Sequence, residues 1–202
     1  MEPIEVKLGE WFEKGFRLYR ENMAKLIPAT FVALVLSVAS AGILAGPMLI
    51  GLIIISLALL RGHHPKPEIF EILKGFRFFL NAVIFVLGWG LVVSSGSAIL
   101  LMIPGIGLLA VLFFIYSSQA FLMFGPFLIV DRDMDFWTAT LTSFNTVKSN
   151  FWPFLSVSAV AGVIGSIGCI AFGVGVIVTI PIQICILTVA YEAILGETRG
   201  VE

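Results

Sequence analysis

Charge is what this chain has least of. Charged residues fill 12% of its 202 positions, about half the roughly 25% usual in a soluble domain. Hydrophobic residues fill 59%. A soluble fold of this size cannot hide that much apolar surface, whereas a bilayer removes the need to hide it. Cysteine is nearly absent too. Cys169 and Cys185 lie inside apolar runs with no CxxC spacing, which argues for two inert thiols rather than metal or redox chemistry. The formal net charge of -1 supplies no field to attract nucleic acid. The sequence holds no HExxH, Walker A, GxSxG or paired-carboxylate pattern, and its loops leave little room for a soluble catalytic domain, so no enzymatic activity is expected. His63 and His64 are adjacent in HHPKPE with only Glu68 nearby. That favours a solvated loop over a metal site, which needs three or four ligands. The opening MEPIEVKLGEWFEKGF is charged and lacks an apolar core ending in small residues, so it does not read as a secretory signal.

What the chain does have is long apolar runs. The stretch from Leu26 to Leu60 carries no charge. As one helix it would exceed about 50 Å, against a hydrocarbon core of about 30 Å. It must fold back, and Gly42, Gly46 and Pro47 mark the expected bend. A second run, Phe78 to Val130, is split at Ile103-Pro104-Gly105-Ile106-Gly107, and a third, Phe151 to Tyr191, at Gly173-Val174-Gly175. Three helical hairpins and six spans are expected, in one all-α integral membrane domain over residues 1–202. The first hairpin is the shortest, and two thin, tilted or re-entrant helices remain open there. All 12 Lys and Arg precede, separate or follow the hairpins, and the three bends contain none. Positive charge stays on the cytoplasmic side, so both termini are expected there.

The chain also reads as an internal repeat over 7–61, 67–130 and 134–195. Lys14-Gly15-Phe16 ending at Asn22 corresponds to Lys74-Gly75-Phe76 ending at Asn81, and Phe144 ending at Asn150 is the third copy. Each unit is expected to be a short amphipathic helix, a span, a bend and a returning span. An even number of spans per unit makes the copies parallel rather than inverted. The surface helices carry apolar stripes: Leu8, Trp11, Phe12, Phe16 and Tyr19 in the first, Ile69, Leu73, Phe76 and Leu80 in the second, Trp137, Leu141 and Phe144 in the third. Asp135 can cap the third. Such helices rest in the interface, either as plain anchors or as lipid-sensing or partner-docking elements.

Ionisable residues at mid-membrane depth would mark proton or ion paths, and the spans contain none. Asp131, Arg132, Asn150, Tyr191 and Glu192 are candidate interfacial residues, with Glu192 expected to pair with a base from a surface helix. Ser117, Ser118 and Gln119 on the fourth span and Thr179 and Gln183 on the sixth are the candidate polar path. Gln119 and Gln183 are expected at similar depth. The plainer reading is interhelical hydrogen bonding, on the order of 0.6 kcal/mol each. Pro181 permits a kink. Gly42-xxx-Gly46 and Ala161-xxx-Gly165 permit close helix approach, within one chain or between copies.

Several pieces together resemble a known family: Gly46-Pro47-xxx-Gly51, Arg61-Gly62 followed by Gly75-Phe76, Ile103-Pro104-Gly105, Pro126-Phe127-Leu128-Ile129-Val130-Asp131, Phe136-Trp137-x-Ala139-xxx-Ser143, Asn150-Phe151-Trp152, Gly173-Val174-Gly175-xxx-Thr179-x-Pro181 and Ala190-Tyr191. In order and spacing the chain resembles bacterial multi-span membrane proteins of uncharacterised function related to the membrane domain attached to some glycerophosphodiester phosphodiesterases. The resemblance implies a bacterial inner membrane location and an accessory role near lipid metabolism. It carries no catalysis, because the phosphodiesterase domain supplies that in the relatives. The function expected is therefore non-enzymatic binding of membrane lipids or of a membrane-protein partner, possible homo-oligomers included, without a cofactor. The alternative is a small-solute or ion transporter with a weakly polar path between spans four and six.

Overall fold

The computed structural model describes residues 7–62, 67–170 and 175–196, with the side chains of 166–170 outside the description. The His63–His64 pair, the Cys169 side chain and the bend at Gly173-Val174 fall outside the description. The fold is an all-α bundle. Among the described residues, four helical stretches are long and apolar enough to cross a membrane: Leu8–Ala39, Ile69–Leu101, Gly107–Asp131 and Val176–Gly196. The bent pair Phe136–Lys148 and Phe151–Gly165 makes a fifth if it is counted as one span. These lengths and this composition mark a membrane protein.

Helix α1, Leu8–Ala39, runs unbroken for 32 residues, about 48 Å at 1.5 Å per residue. A separate surface helix was expected at its start; instead the amphipathic segment and the span are one rod. The reason is phase. Trp11, Gly15, Leu18, Asn22, Leu26, Ala29 and Ala33 are all buried at steps of three and four, so a single apolar face runs through both parts. That face packs along the last helix, α9 (Val176–Tyr191). Gly15 makes the contact possible, because a Cβ there would lie 2.6 Å from the Cα of Ile186.

The first bend lies at residues 40–44, with Ala41 at φ 52° and Gly42 at φ 89°. Gly46 and Pro47 belong to α2 (Ala45–Leu60) rather than to the bend, and both are buried in its first turn, where proline is tolerated. Their task is packing. Gly46 lies against the Ala82 carbonyl, Gly51 against the Ile72 carbonyl, and Gly75 against the Pro47 carbonyl. The glycines of α2 and Gly75 thus let two backbones meet, and they seat the tight 3-10 segment Ile69–Phe78 on α2.

From that segment the chain continues through α3 (Phe79–Val83), a π turn (Ile84–Gly88) and α4 (Trp89–Leu101). The amphipathic segment expected here is again continuous with its span. A turn with Gly105 at φ 83° leads into α5 (Gly107–Leu122), which packs against α4. No residue of α4 is buried, so this hairpin arm turns most of its surface outward. After a break at Met123-Phe124 comes α6 (Gly125–Asp131).

In the third unit the surface helix is separate. In α7 (Phe136–Ser149) the Asp135 side chain accepts from the backbone N–H of Trp137 and Thr138. The Thr138 hydroxyl foremost, then these amides, hold the Asp135 carboxyl below its usual pKa. The cap is therefore present above the ordinary carboxylate pKa and weakens as pH falls through the depressed value. At Asn150 (φ −140°) the chain turns by 111° into α8 (Phe151–Ile170). Pro153 contributes to the break: it has no N–H to donate to the Ser149 carbonyl at the end of α7, and it sits in the first turn of α8, where a proline is tolerated.

Candidate functional site

Two features stand out: a cavity within the bundle and a charged cluster at one end of it. The cluster joins the ends of the three returning helices. Arg61, just past α2, donates to both oxygens of Asp131 at the end of α6 (2.7 and 3.1 Å) and to Glu192 just past α9 (2.7 and 3.2 Å). The Tyr191 hydroxyl donates to Asp131 Oδ2 at 3.0 Å. Side-chain exposure is 19% for Arg61, 4% for Asp131 and 33% for Glu192. Burial opposes the Arg61 charge, but the hydrogen bonds it donates to Asp131 and then to Glu192 outweigh it and push its pKa up. Arg132 donates to the Leu195 carbonyl at 2.9 Å, and Asn150 stands at the α7–α8 bend. Glu192 does pair with a base, but that base comes from the end of a returning helix and not from a surface helix.

The cavity has a volume of about 570 Å³. Its walls come from α2, the π turn and start of α4, α5, α6, α8 and α9. Most of the lining is aliphatic or aromatic, with Phe85, Trp89 and Phe127 the largest groups. Ser118, Gln119, Ser158 and Gln183 supply its polar side chains besides the Trp89 indole. The cluster lies beyond one end of the cavity. Leu49 and Ile53 line the cavity and Arg61 lies about two turns past Ile53, at the end of α2. Phe127 precedes Asp131 by one turn, and Leu187 precedes Tyr191 by one turn. The Phe127 and Tyr191 rings stack at 5.1 Å between the two features.

The wall on the α4 side depends on local breaks in helical geometry. Past the π turn, a form frequent at functional sites, the Trp89 indole N–H donates to Thr140 Oγ1 of α7 at 3.2 Å. Phe85 rests its ring on Gly125. At the α5–α6 break, Ser143 of α7 acts as a staple. Its hydroxyl donates to the Phe121 carbonyl (2.6 Å) and accepts from the Phe124 N–H (3.2 Å). In lipid such freed backbone groups need partners, and Ser143 supplies one for each.

Of the polar path expected from sequence, Ser118, Gln119 and Gln183 line the cavity. Thr179 instead donates to the Gly165 carbonyl of α8 at 3.0 Å, an interhelical bond. Ser117 Oγ is buried outside the cavity lining, with no hydrogen-bond partner among the described residues. The Gln119 carboxamide oxygen sits against Gly162 and that of Gln183 against Gly165, so both heads converge on one turn of α8. Gly165, read as a helix-approach residue, makes room for a side chain. Exposure of Gly90 and Gln119 shows that the cavity opens on the flank of the bundle.

No family model, curated protein or solved structure matches this chain. The site is thus read from its own chemistry. Trp89, Ser158, Ser143 and Arg61 are the site residues that sequence reasoning missed. Arg61 carried a signal: it ends the first unit, Asp131 follows the second by one residue and Glu192 lies in the last turn of the third, with opposite charges at nearly equivalent places.

Proposed function

We propose that this chain is a non-enzymatic membrane module that takes a lipid into its flank-opening cavity. The observation that supports this best is the cavity itself. It is largely apolar, it has a few convergent polar groups, and its size lies within the range of about 300–1,000 Å³ common for ligand sites. Its mouth, beside α4, lies on a surface suited to the hydrocarbon of a bilayer. The resemblance to membrane domains attached to glycerophosphodiester phosphodiesterases fits an accessory role in a bacterial inner membrane. The Lys and Arg distribution favours six spans with both termini cytoplasmic. Native mass spectrometry of the chain extracted with its surrounding lipids tests the reading. A stoichiometric lipid that persists at high collision energy is the expected result; only exchangeable bulk lipid would count against it.

A transporter is the second reading, favoured by one observation: Gln119 and Gln183 line the same cavity. If the chain carries a solute past them, replacing both with Leu abolishes flux into liposomes. Flux that persists in the double variant removes them from the path.

A further inference from the structure

We infer that the cavity selects an uncharged lipid, one whose carbonyl or hydroxyl group can leave the interface and reach mid-bilayer depth. The inference rests on the lipid-binding reading and narrows it to a ligand class. Gln119 lies at the centre of the stretch Gly107–Asp131, and Gln183 is near the centre of Val176–Gly196. Both therefore lie far from either headgroup region. Among the described residues, neither carboxamide makes a hydrogen bond. Each offers two N–H donors and an acceptor oxygen, and in hydrocarbon such groups are costly unless matched. Ser118 and Ser158 add hydroxyls to the same cavity. The Ser158 hydroxyl donates to the Tyr116 carbonyl at 3.4 Å and keeps its acceptor capacity.

A phospholipid puts only its hydrocarbon tail at this depth, because its charged head stays at the interface. A tail satisfies neither glutamine. Drawing the head inward would place a charge among walls that hold no charged side chain among the described residues, which the low-dielectric interior penalises. A neutral lipid escapes both penalties. Its ester carbonyl, quinone carbonyl or hydroxyl can meet a carboxamide, and its chains suit the aliphatic and aromatic wall. The glycine seats matter to this arrangement. Gly162 and Gly165 hold the two heads on one turn of α8, so the pair forms one polar spot and not two scattered groups.

The test uses the full chain in phosphatidylcholine vesicles with three photoactivatable probes: a diacylglycerol, a long-chain isoprenoid quinone, and a phosphatidylglycerol carrying the same diazirine acyl chain as the diacylglycerol. Adducts are mapped by mass spectrometry. At least one neutral probe should label the α5 and α9 cavity residues roughly tenfold more than phosphatidylglycerol, the factor expected from two intramembrane hydrogen bonds. Which of the two labels tells an acyl glyceride from an isoprenoid ligand. The double variant Gln119→Met, Gln183→Met keeps side-chain length and should lower neutral labelling to the phosphatidylglycerol level. Gly165→Ala should weaken it as well, since the new methyl meets only the flexible end of Gln183. This second variant guards against a misfolded first one. Equal labelling by charged and neutral probes, unchanged in both variants, would overturn the selectivity while leaving lipid binding in place. No cavity labelling by any probe would overturn both.

Discussion

Arg61 holds two carboxylates, and Asp131 depends on it most, being nearly sealed from solvent. Removing the guanidinium leaves that carboxylate buried without its cation, a change that costs on the order of 3–5 kcal/mol where a pair is fully buried. Arg61→Leu is expected to approach the lower end of that range because Glu192 is partly exposed. The double variant Arg61→Leu, Asp131→Leu should recover part of the loss, because the buried carboxylate goes with its cation and only the partly exposed Glu192 is left unpaired. Thermal unfolding in detergent micelles measures both. A single variant that melts with the parent would make the cluster a surface ornament. Ser143 is a parallel case with neutral groups. Ser143→Ala leaves the Phe121 carbonyl and Phe124 N–H without their side-chain partner, for a loss of about 1–3 kcal/mol. The same melt reads it, and Ser149→Ala, an exposed position bonded within its own helix, is the neutral control. Neither role was visible in the sequence. A serine in an amphipathic helix looks the same whether it faces water or a broken neighbour, and only the break at Met123-Phe124 gives it work.

At the level of elements, the hairpins were legible and their joints were not. Apolar run length with Gly42 located the turn at 40–44, though Gly46 and Pro47 lie just past it in α2, and Pro104-Gly105 located the turn at 102–106, because a charge-free run has few ways to fit a bilayer. Whether an amphipathic segment joins its span or breaks from it depends on the phase of the two apolar faces, and on a proline such as Pro153. α1 runs unbroken for this reason, and α7 and α8 meet at a bend of 111°. Gly46 was read both as a bend and as a helix-approach residue, and the close backbone contacts bear out the second role, placing it with Gly51 and Gly75 at one interface. Gly51→Ala pushes a methyl into the Ile72 carbonyl, a backbone group that cannot swing aside. A loss of at least about 1–3 kcal/mol is expected from the forced separation. Gly9→Ala meets nothing within 4 Å and should be neutral or stabilising, by up to about 1 kcal/mol through helix propensity. Comparing the two melts separates a packing glycine from an incidental one.

For the whole molecule, the polarity of the chain gathers in space as well as in sequence. Arg61, Asp131 and Glu192 meet; Arg77 lies 3.5 Å from Asp133, and the Lys25 ammonium donates to the Pro67 carbonyl at 3.0 Å. Basic residues far apart along the chain therefore share one end of the bundle, as the alternation of charge-bearing segments and charge-free hairpins predicts. Sequence could not settle whether the first hairpin crosses fully, since α2 has only 16 residues, about 24 Å, against a core of about 30 Å. Single cysteines at exposed positions decide this: Ile43 and Met102 at the bends, Arg77 and Lys148 at the charged end. With a membrane-impermeant maleimide on intact cells, Met102→Cys should react, and Arg77→Cys and Lys148→Cys only after the membrane is opened. Ile43→Cys carries the finer decision. If α1 and α2 both span, locally thinning the bilayer around the short α2, it reacts from outside like Met102→Cys. If the hairpin is re-entrant, its tip stays in hydrocarbon, where the thiolate the reaction needs does not form, and it resists labelling from either face. Reaction of Met102→Cys from the cytoplasmic side alone would reverse the whole arrangement and place the Arg61 cluster outside.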